Sequence, residues 1–203
     1  MIGVVDYGMG NLHSVEKALQ RLGADCVRLQ DPQLPAGIKA LLLPGVGAFD
    51  PAMERLDQLG WTPVLRQWGQ QQRPLLGICL GLQLLFESSA EGQRSGLGLL
   101  SGRVEPLPPQ ATARCPHMGW APLQPGSASP LIANDGQEHW MYFVHSFAAV
   151  PADPACITAT APYGTSQVVA AVGQGMLQAT QFHPEKSGNR GLKLLQRWLG
   201  SLG

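Results

Sequence analysis

A short apolar run, Pro74-Leu75-Leu76-Gly77-Ile78, ends at Cys79, which stands between two glycines, and Leu82, Leu85 and Phe86 then recur at helical spacing. The run predicts a buried strand, and the periodic residues after it predict a helix continuing to about Ser88. The two leave room only for a sharp turn between them. Gly77 and Gly81 flank Cys79 as glycines flank the serine of a nucleophile elbow, where a strained turn requires small neighbours and lifts the side chain above the sheet. A cysteine there also heads a helix, whose unpaired N–H groups and dipole favour the thiolate. A buried structural cysteine fits the same residues, since cysteine is among the most buried residue types. The local pattern leaves both readings open.

The chain before this turn alternates between two periodicities. Ile2 to Tyr7 predicts a first strand, Gly8-Met9-Gly10-Asn11 a turn, and Leu12, Val15, Leu19 and Leu22 one face of a helix ended by Gly23. Gly8 and Gly10 begin a dinucleotide-binding pattern, but its third glycine would fall at His13, so a tight turn is the better reading. Asp25 to Leu29 and Ala40 to Leu43 predict two more strands, the second buried on both faces by its unbroken apolar character. It runs into Pro44-Gly45-Val46-Gly47, where glycines expose backbone N–H groups, although an ordinary loop also fits. Helical segments follow at Asp50 to Leu59 and Trp61 to Trp68, broken at Gly60 and before Pro63.

Strand and helix in alternation predict a parallel sheet covered on both faces. The second half changes character. After a polar loop from Ser89 to Gly98, Val104 to Pro109 is apolar and proline-rich. Short strands are then expected at Trp140 to Phe147, Cys156 to Ala161, Gln167 to Val172 and Met176 to Phe182, with hairpin-like breaks at Pro162-Tyr163-Gly164 and Gly173-Gln174-Gly175. These are expected as antiparallel strands added to the edge of the parallel sheet, and a last helix is expected from about Asn189 to Leu199. The fold class is α/β: one domain over residues 1–203, a mostly parallel open sheet flanked by helices, with antiparallel additions in its C-terminal half.

Composition excludes several function classes. At 203 residues the chain can bury a sizeable core, and its formal net charge of zero gives no basic excess for nucleic acid. No stretch approaches the ~18 apolar residues of a membrane span. The opening is too short and lacks the basic start of a signal peptide, so a cytoplasmic location with reduced thiols is expected. The four cysteines, Cys26, Cys79, Cys115 and Cys156, contain no C-x-x-C pair, which argues against zinc. No metal or cofactor is expected.

A cysteine nucleophile requires a base oriented by a third group. Of the histidines, His183 ends the run Leu177 to Phe182 and precedes Pro184-Glu185. Proline holds the residue before it extended, and in an extended chain alternate residues face the same way. His183 and Glu185 therefore project together, the carboxylate able to take one ring nitrogen while the other faces a thiol. A surface His-Pro turn is the plainer alternative. His145 lies inside a strand and reads as a satisfied half-buried histidine. His117 has no acid two residues on, and His13 and His139 read as solvated.

Three motifs, Pro44-Gly45-Val46-Gly47, Gly77-Ile78-Cys79-Leu80-Gly81 and His183-Pro184-Glu185, in this order, resemble the class I (triad) glutamine amidotransferases over essentially the whole chain. Asp6-Tyr7-Gly8-Met9-Gly10-Asn11-Leu12, Leu82-Gln83-Leu84-Leu85-Phe86-Glu87, Pro116-His117-Met118-Gly119-Trp120, Tyr142 to Phe147 and Gln181 to Ser187 are similar to the glutaminase subunits of imidazole glycerol phosphate synthases. Related chorismate-pathway subunits usually carry histidine where this chain has Leu82. Ala121, where asparagine is common, and Phe147, where tyrosine is frequent, depart from the pattern.

The resemblance implies a flavodoxin-like amidotransferase fold and a Cys79–His183–Glu185 triad that hydrolyses glutamine through a glutamyl thioester. It implies an oxyanion hole from the backbone N–H groups of Leu80 and Val46. Glutamine contacts would come from Gly47, Gln83, His145, Ser146 and Phe147. It further implies a heterodimer with a (β/α)8-barrel cyclase that uses the ammonia in histidine biosynthesis, with Gly10, Asn11 and Lys186 as candidate partner-facing residues. The alternatives are the glutaminase subunit of a chorismate or pyridoxal phosphate pathway enzyme, a stand-alone cysteine hydrolase, or a non-catalytic binding subunit.

Overall fold

The computed structural model describes residues 1–126, 129–133 and 135–203. The strands are β1 (Ile2–Val5), β2 (Cys26–Leu29), β3 (Ala40–Gly45), β4 (Leu75–Cys79), β5 (Ser88–Ser89), β6 (Gly102–Pro106), β7 (His117–Pro125), β8 (His139–His145), β9 (Phe147–Pro151), β10 (Ile157–Tyr163), β11 (Ser166–Gln174) and β12 (Leu177–Thr180). The α-helices are α1 (Leu12–Arg21), α2 (Phe49–Gln58), α3 (Trp61–Gln70), α4 (Leu80–Leu84) and α5 (Gly188–Gly200). Among the described residues, nine strands form one sheet in the order β2-β1-β3-β4-β12-β11-β10-β7-β8, and β5, β6 and β9 form a smaller one.

Side chains alternate across the central strands and divide the core into two. Leu41, Leu43 and Leu75 face the layer of α2 and α3, with Phe49, Met53, Trp61 and Trp68. Leu42, Leu76 and Ile78 face the layer of α1 and α5, with Val15, Leu19, Leu195 and Trp198. Both faces of β3 and β4 are therefore buried, as their continuous apolar sequences require. No helix among the described residues is long and apolar enough to cross a membrane.

The parallel half and its helices follow the sequence reading closely, with Gly60 at φ +77° separating α2 from α3, but no break precedes Pro63, which lies in the first turn of α3, where a missing N–H costs no helical bond. Four further expectations are corrected. The helix after Cys79 stops at Leu84 rather than near Ser88. Leu85 and Phe86 N–H bond back to Leu82 and Gln83 at 3.2 Å, and the returning chain takes the next carbonyls, Leu99 N–H reaching Leu85 O at 2.9 Å and Gly98 N–H reaching Phe86 O at 3.1 Å. Helical hydrogen bonds are thus replaced by tertiary ones, and Ser88 joins β5.

Secondly, β12 is not an antiparallel edge addition: it lies inside the sheet, parallel to β4, and only β11, β10, β7 and β8 continue antiparallel from it. Hydrophobic periodicity reports burial and carries no strand direction. Thirdly, the run expected as one strand to Phe147 divides at Ser146, β8 staying in the large sheet while β9 pairs with β6. His139, read from its polar neighbours as solvated, is 5% exposed, its Nε2 within 2.9 Å of Ala133 O and 3.1 Å of Asp135 Oδ1.

Candidate functional site

Three adjacent parallel strands deliver the three motifs to one rim. β3 ends at Gly45, β4 at Cys79, and Thr180 of β12 pairs with Ile78, bringing His183 past the same edge. The carboxyl ends of parallel strands are where α/β sheets place ligands.

Cys79 has φ +56° and ψ −112°, a conformation that residues with a side chain rarely adopt. Its glycines are required by contact. A Cβ at Gly81 would lie 1.9 Å from the Leu43 carbonyl oxygen, and one at Gly77 would lie 2.9 Å from that of Gly81. Strand, turn and helix can pass this closely only without those atoms.

His183 is 2% exposed, and its Nδ1 lies 2.8 Å from Glu185 Oε1. The carboxylate accepts from Nδ1–H, leaving Nε2, which has no hydrogen-bond partner within normal distance among the described residues, for the thiol. The backbone is pinned as well: His183 N–H donates to Tyr142 O at 3.0 Å, and Ser187 Oγ donates to His183 O at 2.6 Å. Burial opposes charge on this ring, but the nearby Cys79 sulfur and the hydrogen-bonded Glu185 carboxylate outweigh it and hold the imidazole up at about 9.

The two groups open onto a cavity of about 310 Å³ lined also by Val46, Gly47, Leu80, Gln83, Glu91 and the His145-Ser146-Phe147 segment. Gln83 Nε2 donates to Phe147 O and to Gln181 Oε1, both at 3.1 Å. His145 is held neutral, its pKa lowered to about 4, chiefly by burial. With Nδ1 donating to Phe147 O at 2.8 Å, its Nε2 accepts from His117 Nδ1 at 3.2 Å. His145 is thus a satisfied histidine that fixes the segment after β8, as the sequence reading held, but it is buried rather than half-buried.

The Gly45-Val46-Gly47 loop reaches the cavity in one particular state. Val46 N–H donates to Met9 O at 3.3 Å. Gly47 has φ +106°, and a Cβ there would meet Met9 Cε at 2.8 Å.

The candidate partner-facing residues lie outside the cavity lining. Asn11 caps α1 through Oδ1, which accepts from Ser14 N–H at 3.4 Å, and Lys186 is exposed. Sequence reasoning missed Glu91 and Gln181. Glu91 sits in a polar loop with no pattern, and its Oε2 accepts from Phe49 N–H at 2.9 Å. Gln181 is fully buried, with Nε2 3.9 Å from Cys79 Sγ. Its place two residues before His183 was a usable signal, because alternate residues of an extended chain share a face.

The family model described as glutamine amidotransferase class-I matches residues 3–199. The chain belongs to that family. It is 56% identical over 198 residues to the imidazole glycerol phosphate synthase subunit HisH of Synechococcus sp. (strain CC9605), covering 98% of this chain and 93% of the relative. A second such subunit, from Parasynechococcus marenigrum (strain WH8102), is 57% identical with the same coverage. Among solved structures, one described as a glutamine amidotransferase superposes with a TM-score of 0.77 at 21% identity, covering 100% of this chain and 98% of the other. The structure of PurLQS from Thermotoga maritima gives 0.77 at 19% identity with the same coverage. These two likenesses concern the fold.

Proposed function

We propose that the chain is the glutaminase subunit of an imidazole glycerol phosphate synthase, hydrolysing glutamine with Cys79, His183 and Glu185. One observation carries the chemistry: a cysteine on a strained turn shares a cavity with a buried histidine whose far nitrogen is bonded to a buried carboxylate. The relatives named as HisH subunits, more than half identical over 98% of the chain, support the particular assignment.

The steps follow from the proton positions. His183 Nε2 holds the proton given up by the Cys79 thiol, and the thiolate Sγ attacks the side-chain amide carbon of glutamine. The carbonyl oxygen becomes an oxyanion held by the N–H groups of Leu80 and Val46. His183 then protonates the amide nitrogen, the C–N bond breaks, ammonia leaves and a glutamyl thioester remains. Water, deprotonated by His183, attacks the thioester; glutamate leaves and the proton returns to sulfur. Only side chains, backbone and water take part. For Val46 to act as drawn, its N–H must leave Met9 O, so the resting loop and the working loop differ at one peptide. Gly47, Gln83 and the His145-Ser146-Phe147 segment contact the substrate, and the Glu91 carboxylate meets its α-ammonium.

Ammonia would pass to a (β/α)8-barrel cyclase in the cytoplasm. Met118 and Trp120, 63% and 53% exposed on β7, lie opposite Val144 and Tyr142 and give an apolar face beside the cavity. Such a face supports docking of a partner, with Gly10, Asn11 and Lys186 contributing from the neighbouring loops.

The test is glutamate release from glutamine by the purified chain, alone and with the cyclase subunit and its ligand. Low activity alone and strong stimulation in the complex are expected. Rapid partner-free cleavage of a peptide would favour a stand-alone hydrolase, stimulation only by a chorismate- or pyridoxal-pathway partner would reassign the subunit, and inactivity throughout would favour a binding role.

His183 gives a pH prediction. Its pKa is raised, so the imidazolium that protonates the leaving nitrogen persists at neutral pH and is lost as pH rises through about 9. Its contribution to stability has the same sign, full below an ordinary histidine pKa of ~6.5 and lost above the raised value. Glu185→Gln removes the carboxylate that supports the charge. The alkaline limb of the kcat profile should move to lower pH, and kcat at neutral pH should fall by about 10⁴-fold, the scale of losing the orienting acid of a triad. An unmoved limb would show that Glu185 does not act on His183.

A further inference from the structure

The hydroxyl of Tyr7 is buried without a hydrogen-bond partner among the described residues, in a side chain 1% exposed. An unpaired buried polar group is costly, and phenylalanine would fill the same space without it, so packing does not explain the oxygen. Its position does. A Cβ added to Gly45 would lie 2.6 Å from the Tyr7 hydroxyl, 2.9 Å from Leu80 Cβ and 3.0 Å from Gly81 N. The unpaired oxygen therefore sits where the end of β3 meets the Cys79 turn.

The peptide next to it is the one that must move. Val46 N–H now donates to Met9 O. A peptide unit is planar, so the Gly45 carbonyl and the Val46 N–H point in opposite directions. Turning that N–H into the cavity swings the Gly45 carbonyl to the side the N–H has left, towards the Met9 carbonyl. Two facing carbonyls repel unless a donor lies beside them. The Tyr7 hydroxyl stands 2.6 Å from where a Gly45 Cβ would lie and has no hydrogen-bond partner among the described residues. Burial, and then the charge of Cys79, push its pKa far above the ordinary phenol range, so it remains a donor at any working pH.

We infer that Tyr7 is a positioning residue for the oxyanion loop: its hydroxyl donates to the Gly45 carbonyl when the Gly45–Val46 peptide turns over to present the Val46 N–H. The bond exists only in the working arrangement, so it favours the transition state over the resting chain. This inference rests on the glutaminase reading of the cavity.

Tyr7→Phe removes only the oxygen. In the complex with the cyclase subunit and its ligand, kcat should fall about tenfold with KM unchanged, the size of one lost hydrogen bond. Alkylation of Cys79 by iodoacetamide forms no oxyanion and should keep its wild-type rate. The melting temperature should hold or rise, since an unpaired group is removed. Wild-type kcat in Tyr7→Phe, with Cys79→Ala inactive, overturns the inference and leaves the glutaminase reading standing. A matching fall in alkylation overturns it by placing the effect on the cysteine itself. A lower melting temperature overturns it too, because the hydroxyl would then be paired at rest. A wild-type chain without glutaminase activity overturns both.

Discussion

Cys79→Ala is expected to lower glutamine hydrolysis by on the order of 10⁶-fold in kcat, the loss seen when the nucleophile of a catalytic triad is removed. No other group can take its place. Gln181 Nε2 and Val144 O approach the sulfur at 3.9 Å, but neither is a nucleophile. The other cysteines, Cys26, Cys115 and Cys156, are not among the residues that line the cavity. The stability of the variant carries separate information. Cys79 is held at φ +56° and ψ −112°, where any Cβ is strained and glycine is not. Cys79→Gly should therefore be inactive yet more stable than Cys79→Ala by about 1 kcal/mol, the usual worth of relieving a positive-φ position. Denaturant unfolding of both variants measures the difference. Residual turnover above about 1% of wild type, against an expected loss of many decades, would remove Cys79 as nucleophile. Equal stabilities would mean the turn is unstrained.

How far the sequence disclosed this site depended on whether each residue announced itself locally. The Cys79 turn was legible because a strand period, two glycines and a helical period meet there, and the steric requirement at Gly77 and Gly81 bears out that meeting. His183 and Glu185 were legible because Pro184 fixes the chain between them. Their approach to Cys79 was not: it depends on β12 inserting parallel beside β4, and the apolar pattern of Leu177–Thr180 is the same for either direction. The early end of α4 was hidden for a related reason. The carbonyls of Leu84, Leu85 and Phe86 are taken by N–H groups of residues 97 to 100, a tertiary event that no window around Leu85 contains. Glu91 and the Met9–Val46 bond are of that same kind, each joining loops from different strands.

The second large effect is on folding. Gly81→Ala should destabilise the chain by about 3 kcal/mol or more, at the upper end of overpacking substitutions. The added Cβ would stand 1.9 Å from the Leu43 carbonyl oxygen and 3.0 Å from its carbon. Those are backbone atoms of β3, fully buried and paired through Leu43 with Gly77 of β4, so no side chain can swing aside to make room. Either β3 and α4 part, which opens the core around Leu43 and Leu82, or the turn at Cys79 unwinds, which removes the nucleophile from the cavity. A stability of 5–15 kcal/mol for a typical domain leaves little after such a loss. Gly200→Ala is the matched control. It lies at the end of α5 with nothing within 4 Å of the added atom, so it should be neutral or slightly stabilising. Chemical denaturation of the two variants tests the contrast. Wild-type stability and activity in Gly81→Ala would show that α4 does not pack against β3 through this glycine, and the strained turn at Cys79 would lose its steric basis.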